Sequence, residues 1–172
     1  MKVKQTLFIL LIILCSCSSK DKNAYVELYT IYNDYDYTKE QKVKLTEIKG
    51  LGDTLKMKYE NRIDSLYLVL ENVNQNTRKS QLLLEIEQVK EAYNQKQNEF
   101  LQSFNLQVKQ IDELIWKRIN QNISEYGKAN NYSYIFGAEG SGSIMYCDST
   151  LNITSEVLLF INNKYQDVNN EK

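Results

Sequence analysis

Histidine and proline are both absent from the 172 residues, glycine occurs only six times and cysteine three. Without histidine there is no imidazole to act as general base, no Ser-His-Asp triad and no His-ligated metal. Without proline and with little glycine, few breaks are forced on the chain, so long helices are permitted. An excess of either charge is also missing: 21 basic residues face 22 acidic ones, a net charge of −1. A nucleic-acid binder needs a basic face for its phosphate contacts, and this balance argues against one. The apolar run at residues 7–14 (LFILLIIL) is far too short, at about 1.5 Å per residue, to cross a hydrocarbon core about 30 Å thick. What remains is a composition 42% hydrophobic and 25% charged, which is that of a folded domain of modest size.

The start of the chain reads as an address. Lys2 and Lys4 precede the short apolar run, and small residues follow it, the pattern of a signal peptide. Leu14-Cys15-Ser16-Cys17 then resembles a bacterial lipobox, with cleavage before Cys17 and a lipid on its sulfur. Cys15 fits less well, because Leu14 would occupy the position that needs a small side chain; the alternative is an ordinary secretory signal with incidental cysteines. A multiply acylated cysteine holds a membrane stably, since two chains suffice where one is marginal. Removing Lys2 and Lys4 leaves a net charge of about −3. Of the cysteines only Cys147 then keeps a free side chain, so no internal disulfide is possible; it reads as a small apolar strand residue beside Tyr146.

Along the mature chain, residues 17–23 form a polar tether and residues 24–28 (AYVEL) a strand rich in β-formers. The tyrosine-heavy tract at 29–37 suits a turn and a helix entry. Thr38 is expected to cap the helix that follows, with Gln41 as its capping-box partner. Leu45, Ile48, Leu51, Leu55, Tyr59, Ile63, Leu66, Leu70 and Val73 then recur in steps of three or four, as an amphipathic helix requires. Residues 72–77 interrupt that stripe with poor helix formers. A second stripe runs from Leu82 through Ile86, Val89, Tyr93, Phe100, Phe104 and Ile111 to Tyr126, with Gln97 as its polar exception and Gly127 at its expected end. Two narrow-striped helices joined by a short link make an antiparallel hairpin whose arms reach about 50 Å. Residues 132–136 and 143–147 read as two strands of a β-hairpin around the glycine-rich loop 137–142, and a short helix follows from Ile153 to about Asn163, with a frayed polar tail from Gln166.

The expected fold class is therefore α+β. A small β-body (24–37 and 128–165) carries a long helical arm (38–127), between a signal segment (1–16) with its tether and the tail (166–172). The body contains about fifty residues, near the limit at which a core can stabilise itself, so several copies are expected to pool their strands.

Chemistry finds little footing. Gly140-Ser141-Gly142 lacks the Lys and Ser/Thr of a phosphate loop and leads into a strand rather than a helix. Asp112 and Glu113, neighbours on a helix, point in different directions, and Asp34 and Asp36 sit near a helix start where negative charge is favoured. Five of the thirteen tyrosines fall between Tyr25 and Tyr37 with no interleaved Arg or Lys, so they suit the junction between body and arm better than a stack of bases. Gly50 and Gly52 inside the first arm helix cost about 1 kcal/mol each relative to Ala and are expected to form a hinge that lets the arm splay. No enzymatic activity, cofactor or metal is expected.

The order strand, long helical hairpin, strand, glycine loop, strand, short helix resembles the Skp/OmpH-like family of periplasmic chaperones. The resemblance runs from about Ala24 to Tyr165. It is carried by Ile115-Trp116-Lys117-Arg118-Ile119, Tyr126-Gly127-Lys128, residues 132–137, Gly142-Ser143-Ile144-Met145-Tyr146 and Asn152-Ile153-Thr154. The resemblance implies a homotrimer, with three bodies joined in a small barrel and three arms around a cavity that holds unfolded outer-membrane proteins without nucleotide. The family's best-known members are soluble and strongly basic, whereas this chain looks lipid-anchored and slightly acidic, with little long-range field to steer a client. Leu66, Leu70, Leu83 and Ile86, near the arm tips, are the expected client-binding residues. The expected place is the periplasmic side of the outer membrane, since Ser18 and Ser19 lack the acidic residue that retains some lipoproteins at the inner one. The alternative is a lipid-anchored spacer whose arms bind one folded envelope partner.

Overall fold

A computed structural model describes residues 21–138 and 144–170. The expected signal segment, the lipidation site Cys17 and most of the glycine-rich loop lie outside these residues. The elements in order are β1 (Asn23–Glu27), α1 (Leu28–Asp34), α2 (Asp36–Asn72), α3 (Asn76–Ala129), β2 (Tyr134–Ala138), a 3-10 turn (Ser149–Leu151) and α4 (Thr154–Asn170). Alpha-plus-beta describes the result: a two-stranded sheet beside a long helical arm.

The two helices of the arm break where the apolar stripe breaks, and only residues 73–75 link them. Pairings across the seam run in opposite senses: Tyr59 meets Tyr93 at 5.4 Å between ring centroids, and Arg62 bonds Glu85 at 2.6 Å. The helices are therefore antiparallel. With 37 residues in α2 and 54 in α3, the lengths are about 55 and 80 Å. The longer helix overshoots the start of its partner and enters the body.

Three local expectations change. The tyrosine tract is not a turn but helix α1, because Ile31 and Tyr35, four residues apart, both bury their side chains. The chain leaves the helical conformation only at Tyr35, with φ −67° and ψ 124°. Thr38 is accordingly not the cap of α2, which begins at Asp36. The Asp36 N–H is satisfied instead from another element, donating to Asn162 Oδ1 at 2.9 Å, so the partner for this first free amide of the helix comes from tertiary structure. Gln41 is buried in the next turn. Thr38 itself is fully buried, and its hydroxyl has no partner among the described residues. A buried hydroxyl without a hydrogen bond is costly. Thr38→Val is expected to stabilise the protein by about 1 kcal/mol, raising the thermal midpoint by about 3 °C. An unchanged or lower midpoint would show the hydroxyl to be satisfied.

At the far end α3 continues past Gly127 to Ala129. Gly127 is buried within the last turn, where a Cβ would come within 3.1 Å of Ile135 Cδ1, so its role is close approach of β2 rather than termination. The helix ends instead in a Schellman motif with Asn131 at φ 56°. The Tyr132 N–H donates to the Gly127 carbonyl at 2.9 Å and the Asn131 N–H to that of Lys128 at 3.4 Å. The rings of Tyr126 and Tyr132 stack across the motif, supplying its apolar contact.

The sheet corrects the expected β-hairpin. β2 pairs with β1, in parallel, with Ala24 opposite Ile135 and Val26 opposite Gly137. The whole arm serves as the crossover between the two strands. On its other edge β1 is held by the segment before α4: Tyr25 bridges Asn152, the Ile153 N–H donates to the Tyr25 carbonyl at 3.0 Å, and the Glu27 N–H to Thr154 Oγ1 at 2.9 Å. The expected second strand does not form over residues 144–147, the described part of it. Met145 and Tyr146 stay almost fully exposed in the single chain, and a lone hairpin without a buried apolar face is marginal. Asp148 instead caps the 3-10 turn, accepting from the Thr150 N–H at 2.9 Å.

Helix α4 is longer than expected, because the polar residues of its second half are engaged rather than frayed. Asn162 binds the Asp34 carbonyl and the Asp36 amide, Gln166 donates to Asp36, and Tyr165 donates to Glu40. The core beneath joins Ala24, Val26, Ile31 and Tyr35 to Ile115 and Ile119 of α3 and to Ile153, Val157 and Ile161. A separate cluster, Leu66 with Leu82 and Ile86, closes the tip of the arm.

Candidate functional site

At the tip the structure divides the expected client-binding residues. Leu66 and Ile86 are 5% and 2% exposed and close the seam with Leu82, while Leu70 packs partly against them. Leu83 alone is open, at 53% exposure. The stripe of three-and-four spacing thus belongs to the hairpin's own seam. The aliphatic side chains free to meet another molecule are off it: Leu68 and Val69 on α2, and Leu83 and Leu84 on α3. Leu68 and Leu84 each stand two residues from a seam leucine, a turn of about 200° that sends them to the opposite face. The signal for them was present in the sequence as the runs Leu-Tyr-Leu-Val-Leu at 66–70 and Leu-Leu-Leu at 82–84, which carry more apolar residues than one narrow seam can bury. Met57, Leu101 and Leu106 extend the pattern down the arm singly, and Leu51, which its spacing places on the stripe, is also open at 66% exposure.

Halfway along, α2 passes through Gly50 and Gly52 without a break in the helix. The two glycines differ. A Cβ on Gly50 would meet nothing within 4 Å, whereas one on Gly52 would fall 2.4 Å from Phe100 Cε1. Phe100 stacks on Phe104, with ring centroids 6.0 Å apart, and a cleft of about 170 Å3 lies beside them, edged by Leu55, Tyr93 and Gln97. Gly52 therefore has a packing role. Gly50→Ala is expected to stabilise the arm by about 1 kcal/mol through helix propensity. Gly52→Ala is expected to lose that gain, and about 1 kcal/mol more, as the ring is displaced. Chemical denaturation of the two variants decides it: equal midpoints would remove the packing role.

The tyrosines gather where the arm meets the body. Tyr32 donates to Asp112 Oδ1 at 2.7 Å and tilts against Trp116, tying α1 to α3. Burial, and then the bond to Asp112, pushes its hydroxyl up to about 12. The neutral form is thus favoured by folding, and this contribution is complete below pH 10 and lost only as pH rises towards 12. Tyr35, Tyr37 and Tyr165 form a cluster with centroids 5.6 to 5.9 Å apart, and the Arg118 guanidinium lies over the Tyr37 ring at 4.2 Å. Burial raises the Tyr35 hydroxyl, with Arg118 opposing it. Three of the four carboxylates considered for chemistry have partners: Asp112 accepts from Tyr32, Asp36 faces Lys39, and Glu113 lies 4.0 Å from Lys109 on the surface. No cluster suited to a metal and no helix long and apolar enough to cross a membrane occurs among the described residues.

On the body, apolar side chains crowd an open surface. Met145 and Tyr146 are 94% and 85% exposed, with Tyr29, Tyr134 and Phe136 also open. Tyr25, Tyr29, Ile144 and Tyr146 edge a cleft of about 370 Å3 there, and Cys147 lines it as a half-buried free thiol. An apolar surface of this kind marks an interaction site.

This architecture recurs in a crystal structure described as that of an OmpH-like outer membrane chaperone from Caulobacter crescentus. The match has a TM-score of 0.72 at 11% identity and covers 85% of this chain and 86% of that one; at that identity it speaks for the fold. No curated protein matches the chain at a significant level. The family described as outer membrane protein (OmpH-like) matches residues 22–159, from the start of β1 into α4, and with both rods and the sheet inside that span the chain belongs to the OmpH-like family.

Proposed function

We propose that the protein is a periplasmic chaperone, a lipid-anchored, ATP-independent holdase for unfolded outer-membrane proteins. The observation that carries this reading is the second, outward set of aliphatic side chains on the arm, two pairs at the tip with others placed singly below them. Dispersed contacts of this sort each contribute little. Together they hold an unfolded segment through many weak points, cover its apolar groups and release it without an energy source. Membership of the OmpH-like family supports the coarse reading. Purified protein is expected to suppress aggregation of a β-barrel protein diluted from urea, at stoichiometric ratios and without nucleotide. Absence of suppression removes the holdase reading and leaves the fold untouched.

In this reading the working unit is a homotrimer. The small core of the body, the exposed Tyr134, Phe136, Met145 and Tyr146, and an edge of β2 that is unpaired among the described residues support it, since contacts between copies would cover both apolar surface and free strand edge. The anchor at Cys17 would leave the short tether before β1 next to the membrane and the arms directed into the periplasm.

A further inference from the structure

The face of α3 that turns towards α4 carries residues 114, 117, 118, 121, 122 and 125, the spacing of one helical side. Lys164, Tyr165 and Val168 of α4 stand opposite. Between the two walls is a cleft of about 380 Å3, a volume typical of small-ligand sites. Its charges do not balance. Glu125 is the one carboxylate among its lining residues, and Lys164 already engages it while donating to Asn122 Oδ1 at 3.1 Å. Lys117 and Arg118 make no ion pair among the described residues. Arg118 is held in place by the face of Tyr37, so its guanidinium is ordered before any ligand arrives, and Lys117 beside it is committed to no carboxylate. This surplus of positive charge is local, on a chain whose net charge is −1.

We propose that the cleft binds a small multivalent anion bearing clustered phosphate or carboxylate oxygens, with Lys117 and Arg118 as its charged donors. The Gln121 amide and the Tyr35 hydroxyl line the same cleft and supply neutral donors. Charge-assisted bonds from a preordered guanidinium are the strong kind. A ligand there touches α3 and α4 at once, and α4 is the element that holds the base of α2 through Asn162, Tyr165 and Gln166. Occupancy therefore tightens the hold of the body on the arm. This site is independent of the chaperone reading, which could fail without affecting it.

The test is titration calorimetry of the purified protein with tripolyphosphate and with citrate, at ionic strength fixed with sodium chloride. Saturable binding at one site per chain is expected for at least one probe. Binding of tripolyphosphate alone assigns phosphate, of citrate alone carboxylate, and of both a site that reads charge density. Lys117→Gln is expected to weaken the binding about tenfold while leaving the unliganded thermal midpoint unchanged. Lys56→Gln, on the arm outside the cleft, is expected to change nothing. No saturable binding by either probe, or undiminished binding by Lys117→Gln, overturns the proposal.

Discussion

Ile119→Ala is expected to cost the body about 3 kcal/mol, measured by chemical denaturation, and to do so where little stability is in reserve. Ile119 is fully buried, in one cluster with Ile31, Tyr35, Val157 and Ile161, and it stands on the part of α3 that overshoots α2. Several elements meet around that side chain, so the cavity left behind cannot close by moving one of them. Leu82→Ala at the tip removes a similar volume from a different place. Its neighbours Leu66 and Ile86 form a cluster with no shared member with the body's core. Between the two clusters the seam is only partly buried, at Leu55, Tyr59, Tyr93 and Phe104. Native-state hydrogen exchange should therefore report a local effect: in Leu82→Ala the amides of the tip lose protection and those around Ile119 keep theirs. Uniform loss of protection along α3 would mean that arm and body open as one unit, against the two-cluster account.

The second large effect concerns the open apolar surface of the body. Met145→Glu combined with Tyr146→Glu is expected to convert the proposed three-copy assembly into single chains, as read by native mass measurement. Both side chains are almost fully open in the single chain, so the change removes no contact within it and its helical content should be preserved. In an apolar contact between copies, the same carboxylates would be buried without partners, which costs several kcal/mol each, and every copy brings its own pair. An unchanged mass would place the contact between copies elsewhere, and a single-chain species before mutation would remove the oligomer altogether.

The arm was legible because its signal is local and repeated. Leu45 to Val73 and Leu82 to Tyr126 recur at helical spacing, no proline intervenes, and the polar residues at 72–77 mark the reversal. The body was less legible, since its pairings join residues more than a hundred positions apart. Nothing in the neighbourhood of Tyr134 announces that its strand will lie parallel to one beginning at Asn23. Thr38 illustrates the same limit. It has the residue type and position of a cap, yet the amide at Asp36 is met by Asn162 from the other end of the chain, and Thr38 turns inward. The tail is deceptive for a related reason, as Gln166 looks solvent-bound until the base of α2 and its Asp36 are brought beside it.

The arm's surface shows a subtler division. Periodicity identified Leu66 and Ile86 as apolar positions of consequence, which they are, but a hairpin uses its most regular stripe to hold itself together. The residues left over for other molecules are those that break the pattern, Leu68, Val69, Leu83 and Leu84.

By itself the sequence determined that two long helices would form and reverse on one another, because helical periodicity is set by neighbours three and four residues away and needs no knowledge of the rest of the chain. Tertiary structure alone decided which strand pairs with which, what caps α2, which apolar side chains are consumed by the seam, and that Lys117 and Arg118 come to face α4. Those outcomes depend on contacts between distant segments, and a contact of that kind has no energy until folding has closed the loop between its two ends.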